Sequence, residues 1–187
     1  MSAILFAPHN DDETLFAFYQ LIRLNPRVIT VLRSFRQWID QNGPSYETRE
    51  AETFEALSCA GIDKWEQWQF SDRAPDWDAI ADRIDTQLRL HQPQHVIFPA
   101  WEMGGHEDHN ALSSVIRGIR GDWQRIEYLT YVRGYGRSQS PNVIKATRDE
   151  EEAKTRALLC YDSQINHPAT RDWFPGGEYH TLTEWVL

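Results

Sequence analysis

Apolar and polar positions alternate along the chain in short blocks, each with its own period. Ala3, Ile4, Leu5 and Phe6 form an apolar run too short for a useful helix and predict a buried strand. Behind a group of acids, Leu15, Phe16, Phe18, Tyr19 and Ile22 give a wide apolar face of helical spacing, which Asn25-Pro26 ends. Val28, Ile29, Val31 and Leu32 predict a second strand. Ser45 to Ala60 predicts an amphipathic helix with Ala51, Phe54 and Leu57 on its apolar face and Gly61 just past its end. Periodicity is clearest at Trp77, Ile80, Ala81, Ile84 and Leu88, where Asp76, after Pro75, is placed to cap the helix. Val96-Ile97-Phe98 predicts another central strand, His106 to Ile119 a helix and Ile126 to Val132 a strand. Asp149 to Tyr161 predicts a helix with acids in its first turn.

This β-α-β-α order predicts an α/β fold: one domain of three α/β/α layers around a mostly parallel, Rossmann-like sheet. The length of 187 residues suits one domain. Gly134 to Asn142 is the expected mobile loop, and the segment after about residue 164 is expected to be irregular. With 19 basic against 28 acidic residues the net charge is −9, which disfavours a broad nucleic-acid surface but permits a small basic pocket. Cys59 and Cys160 lack CxxC spacing and read as small core residues. The chain start has no basic n-region, and no stretch approaches the roughly 20 apolar residues of a membrane span. A soluble cytoplasmic protein is expected.

In doubly wound sheets, ligands sit beyond the carboxyl ends of the strands. Two such loops are rich in metal-binding side chains: Pro8-His9-Asn10-Asp11-Asp12-Glu13, and Gly104-Gly105-His106-Glu107-Asp108-His109. His9 and Asp12 can converge across a strand-to-helix turn, and His109 in the first turn of its helix can reach the same crevice. Two imidazoles and a carboxylate suit Zn²⁺ and leave a position for water, although the same set takes Fe²⁺ or Co²⁺. Asp11 is the candidate base for that water. His106 is a candidate donor to a developing oxyanion, with Asp108 fixing its tautomer. Gly104 and Gly105 would let the backbone approach the site closely.

PHNDDE and GGHEDH together resemble the (A/P)HPDDE and HPDH motifs of the PIG-L/LmbE-type zinc-dependent N-deacetylases. Glu47–Glu52 (ETREAE) is similar to the R-x-x-E helix segment of that family. Phe70–Asp72 resembles its substrate-side aspartate loop, and Lys154, Tyr161, Ser163 and Gln164 its late helix signature. The resemblance implies His9, Asp12 and His109 as metal ligands, Asp11 as general base and His106 as electrophile. It implies Arg49 and Asp72 as contacts to substrate hydroxyls. The implied reaction removes an acetyl or similar acyl group from an N-acetylated amino sugar or related small molecule. Asn10 and Glu107 stand where the family has prolines, and Leu15-Phe16-Ala17 replaces its common glycine pair. The chain is short for the family, which leaves two readings: a substrate-capping C-terminal region that is reduced, or one supplied by another subunit of a homo-oligomer.

Plainer readings stay beside these. Asp11-Asp12-Glu13 are acids of a kind favoured at helix starts. His106 can serve as a helix cap, and Arg49 can pair with Glu52 or Glu55 through helical spacing. Lys154 and Tyr161 are expected to hold the last helix, and His91, His95 and His167 to have surface or core roles. His180 in the tail could reach the pocket, and Trp38 and Trp101 could stack on a sugar. The alternatives to deacetylation are hydrolysis of another amide or an ester, and a metal- and sugar-binding module without turnover.

Overall fold

The central strands are apolar on both faces, and each face meets a different layer of helices. The computed structural model describes residues 2–33, 44–130, 142–168, 170–178 and 181–187. Its strands are β1 (Ala3–Ala7), β2 (Arg27–Arg33), β3 (Trp65–Ser71), β4 (His95–Pro99), β5 (Gln124–Tyr128), β6 (Asn142–Val143) and β7 (Trp185–Val186). Its helices are α1 (Asp12–Phe16), α2 (Phe18–Leu24), α3 (Tyr46–Cys59), α4 (Trp77–His91), α5 (Glu107–Gly118), α6 (Arg148–Leu158) and α7 (Asp162–Ile165). The strands form one sheet in the order β3-β2-β1-β4-β5-β7-β6. β1 to β5 pair in parallel, and β7 runs antiparallel to β5 and β6.

On one face, Ala3, Leu5, Ala7, Val28 and Ile97 pack with Leu15, Phe18, Leu21, Leu57 and Leu158 of α1, α2, α3 and α6. On the other, Ile4, Phe6, Ile29, Val96 and Phe98 meet Ile80, Ile84 and Leu88 of α4 and Leu112 and Ile116 of α5. Strands covered twice must be apolar at every position, which is why they read as unbroken runs. Burying each large side chain is worth about 1.5–3 kcal/mol. The result is the expected α/β fold with a mostly parallel sheet. Asp76 caps α4 as predicted, its Oδ1 accepting from the Ala79 amide at 3.0 Å. Among the described residues no helix is long and apolar enough to cross a membrane.

The structure departs from the sequence pattern in several places. The helix expected through Leu15–Ile22 is two helices, broken at Ala17. The cause is a pair of buried side chains inserted into the helical ladder. The Leu15 carbonyl accepts from Lys154 Nζ at 2.8 Å, and the Tyr19 amide donates to the Glu184 carboxylate at 3.1 Å. The i to i−4 bond that would join Tyr19 to Leu15 is replaced by this ion pair, which is itself 2.7 Å long. Helix α3 forms where predicted, but of its expected apolar face only Leu57 turns inward. Ala51 is exposed and Phe54 is 56% exposed, while Arg49, Glu52, Thr53, Ala56 and Leu57 are buried.

β3 was not predicted, because this edge strand alternates polar Glu66, Gln67 and Gln69 with aromatics and buries only Trp68 fully. β5 stops at Tyr128, short of the predicted end at Val132, a residue outside the described set. The tail after residue 164, expected to be irregular, contributes a 3-10 turn at Arg171–Trp173 and strand β7. Trp38, His180 and the expected mobile loop apart from Asn142 lie outside the described residues.

Candidate active site

β1 lies between β2 and β4, so the chain leaves β1 toward one side of the sheet and returns on the other. A crevice opens at such a reversal, beyond the carboxyl ends of the strands. The loop after β1 carries His9, Asn10 and Asp11, and the connection after β4 leads to His106 at the start of α5. The two predicted clusters meet there. Ring centroids of His9, His106 and His109 lie 5.1–5.5 Å apart. Each ring offers a nitrogen within 4.8 Å of those of the other two.

Asp12 sits fully buried between two of these imidazoles. Its Oδ2 lies 3.3 Å from His9 Nδ1 and 3.1 Å from His109 Nε2, and it accepts the His9 backbone amide at 2.9 Å. Asp12 Oδ1 is buried without a hydrogen-bond partner. A buried carboxylate oxygen facing no donor is costly, and a cation shared with neighbouring imidazoles would satisfy it. The donor set therefore fits a divalent metal. Burial would raise Asp12, but His109 and His9 hold its carboxyl well below the usual range. For His9, burial favours the neutral ring, yet Asp108 and Asp12 outweigh it and lift the pKa to about 10. A cation bound at His9 would have to displace that proton, since a ligating imidazole nitrogen is deprotonated.

The pairing expected between Asp108 and His106 is not the one found. Asp108 Oδ2 accepts from His9 Nε2 at 3.0 Å and stands 3.8 Å from His106 Nδ1. His106 instead caps α5, its Nδ1 accepting the Asp108 backbone amide at 3.3 Å. That bond assigns the ring proton to Nε2. Burial, with His9 and His109 nearby, lowers the pKa of His106, so the neutral tautomer prevails at pH 7. Its side chain is 47% exposed, against 1% for His109. Gly104 takes a left-handed turn with φ 75°, and Gly105 packs on Glu102 rather than on the site. A Cβ on Gly105 would come within 3.0 Å of the Glu102 carbonyl oxygen.

Asp11 has φ 115°, a backbone state unusual for a residue other than glycine. Its Oδ2 accepts from Arg49 Nη2 at 2.8 Å, and the same Nη2 donates to the Asn10 carbonyl. Burial pushes the Asp11 carboxyl up, against the pull of Arg49, to about 6. Arg49, expected at substrate hydroxyls, is thus turned onto Asp11, and it also pairs with Glu52 as helical spacing allowed. Asp72 follows the last residue of β3, partly exposed. That strand is two places from β1, on the order of 10 Å away across the sheet. Trp101 is 42% exposed on the loop after β4.

Several residues around the site were not in the predicted set. Asn10, in the family's proline position, donates from Nδ2 to Thr53 Oγ1 at 3.0 Å and Gln67 Oε1 at 2.9 Å, tying the loop to α3 and β3. Buried Glu13 accepts from the Tyr161 hydroxyl at 2.7 Å, and burial lifts its carboxyl to about 7. Tyr161 therefore reaches under the site rather than only holding a helix. The signal for Glu13 was its place beside two acids, which a helix start explains equally well.

Solved structures share this fold over most of their length. A deacetylase of the teicoplanin biosynthetic pathway superposes with TM-score 0.73 at 19% identity, covering 100% of this chain and 98% of that one. The zinc-inhibited form of the teicoplanin deacetylase gives TM-score 0.72 at 16% identity, covering 100% and 97%. The N,N'-diacetylchitobiose deacetylase of Pyrococcus horikoshii matches at 0.70 and 16%, covering 92% and 73%. At 14% identity and TM-score 0.67, the 4-carboxy-2-hydroxymuconate hydratase of Pseudomonas putida covers 99% and 94%. No curated protein sequence matches the chain significantly. Residues 4–119 match the model of the PIG-L family, GlcNAc-PI de-N-acetylase, and since they span more than half of the chain, it belongs to that family.

Proposed function

We propose that the protein is a metal-dependent N-deacetylase that removes an acetyl or similar acyl group from an N-acetylated amino sugar or a related small molecule. The observation that carries this reading is the convergence of His9, Asp12 and His109 beside Asp11 in a chain of the GlcNAc-PI de-N-acetylase family. His9, Asp12 and His109 would hold the ion, which we take to be zinc. His106, the most exposed of the three imidazoles, is left to face substrate. A divalent ion in this position supplies Lewis acidity to the acyl carbonyl and to water.

The chain's own groups then divide the work. Asp11 accepts a proton from the attacking water, and a carboxyl lifted to about 6 holds that proton more readily than an ordinary aspartate. His106 donates Nε2–H toward the carbonyl oxygen as negative charge develops on it. Asp11 returns the proton to the departing nitrogen, giving acetate and a free amine. Asp108 and Asp12 keep the His9 ring in place.

The hydratase with this fold shows why the fold alone does not select a reaction. The test is acetate and free-amine release from a panel of N-acetylglucosamine derivatives, with and without a chelator. Acetate released only by metal-loaded protein is expected. Release that survives chelation, or a metal-loaded protein that consumes no member of the panel, overturns the reading.

A further inference from the structure

Arg49 reaches Asp11 from α3 with a long side chain that has many rotamers, and something must hold it there. That hold is Glu52, one turn along the helix. Glu52 Oε2 accepts from Arg49 Nη1 at 3.2 Å. The same carboxylate is fixed from its other side by α7, with Oε1 accepting the Ser163 amide at 2.7 Å and Oε2 the Ser163 hydroxyl at 2.7 Å. The Arg49 and Glu52 side chains are only 10% and 9% exposed, so water competes little for these bonds. The Tyr161 ring lies 5.4 Å from the Arg49 guanidinium and closes a further side. Ser163 and Tyr161 stand beyond the 4–119 span that the family model matches.

We propose that Glu52 is a positioning residue: anchored by Ser163, it fixes Arg49 against Asp11, so that the carboxylate stays in the rotamer from which it serves as base. The inference rests on the reading of Asp11 as base. It adds a line of contact from α7 through α3 to the reacting carboxylate. Glu52 touches neither the histidines nor Asp12 in this network, so its loss should spare the metal site.

Glu52→Ala and Glu52→Gln test this. Glu52→Gln keeps the shape and the acceptor for Ser163, and guards against a failure to fold. Both variants should bind metal at the parent stoichiometry. Glu52→Ala should lose kcat by roughly ten- to a hundred-fold with KM nearly unchanged, since misplacement of a catalytic group costs on that scale. Glu52→Gln should fall between Glu52→Ala and the parent. Crystal structures of the variants read the same point without activity. Arg49 released from Asp11 Oδ2 in Glu52→Ala supports the inference. An Arg49–Asp11 bond that persists in Glu52→Ala, an unchanged kcat, or a loss confined to KM overturns it. A parent protein inactive on the whole panel would refute the deacetylase reading, while the crystal structures would still decide the role of Glu52.

Discussion

The adjacent carboxylates Asp11 and Asp12 meet different neighbours, Arg49 and the imidazoles of His9 and His109, and substitution should separate them. Asp11→Asn removes the proposed proton acceptor and keeps Asp12 with its imidazole neighbours. It should retain metal by elemental analysis and lose activity by about 10²–10⁴-fold. Asparagine is the right replacement, because it tolerates the positive φ of residue 11 better than alanine does. His109→Ala should do the reverse first, lowering metal content at limiting metal. Metal content lost in Asp11→Asn, or kept in His109→Ala, would contradict the assignment. That these residues gather in one crevice was legible in the sequence, since a histidine and acids followed each of two apolar runs. Their partners were not. Nothing in spacing says that Asp108 turns to His9, 99 positions away, rather than to neighbouring His106. Nor does it say that Arg49 closes on Asp11, 38 positions away.

Helix α3 shows how an element can be found and its orientation missed. The sequence marks its start and stop correctly, with Ser45 Oγ accepting the Thr48 amide at 3.2 Å. Hydropathy favours Ala51, Phe54 and Leu57 as its inner face, and of these only Leu57 is buried. The helix instead turns Arg49, Glu52 and Thr53 inward, because these polar side chains have partners in the loop after β1 and in α7. Satisfied polar groups can be buried at small cost, and hydropathy does not count the partners. Phe54→Lys should therefore change unfolding free energy in urea by less than about 0.5 kcal/mol. Leu57→Ala, on the buried side, should cost about 2–5 kcal/mol. Helix α6 offers a pH-dependent case. Glu150 completes the capping box with Thr147 and receives Arg23 at 2.8 Å, which holds its carboxyl down to about 2 from an ordinary 4.5. A depressed acid stabilises the fold above pH 4.5, and the benefit fades as pH falls toward 2. Glu150→Gln should thus be less stable than the parent at pH 7, and the gap should narrow at pH 3.

At the scale of the molecule, the mostly parallel sheet and the meeting of the two histidine-acid loops at its carboxyl edge followed from the strand-helix alternation. The seam between the tail and the first helices did not. Lys154 and Glu184 are both fully buried, and burial lowers the lysine's pKa and raises the glutamate's while each pulls the other back. Lys154→Met leaves a carboxylate without its cation and should cost about 3–5 kcal/mol by denaturant unfolding. A loss below 1 kcal/mol would show that Glu184 is neutral or reaches water. No periodicity in the tail could reveal this pair, since one buried carboxylate has no repeat to betray it.

The same pair has a temporal consequence. Glu184 meets the Tyr19 amide across 165 positions of chain, and contacts so distant in sequence close late and slowly. Until they close, the carbonyl of Leu15 and the amide of Tyr19 can reach each other, and the polypeptide is free to wind one continuous rod where the finished protein has two. The bend between α1 and α2, only a few residues from Asp12, is thus expected to form late in assembly. Catalytic competence should trail helix content whenever the unfolded chain is returned to native conditions.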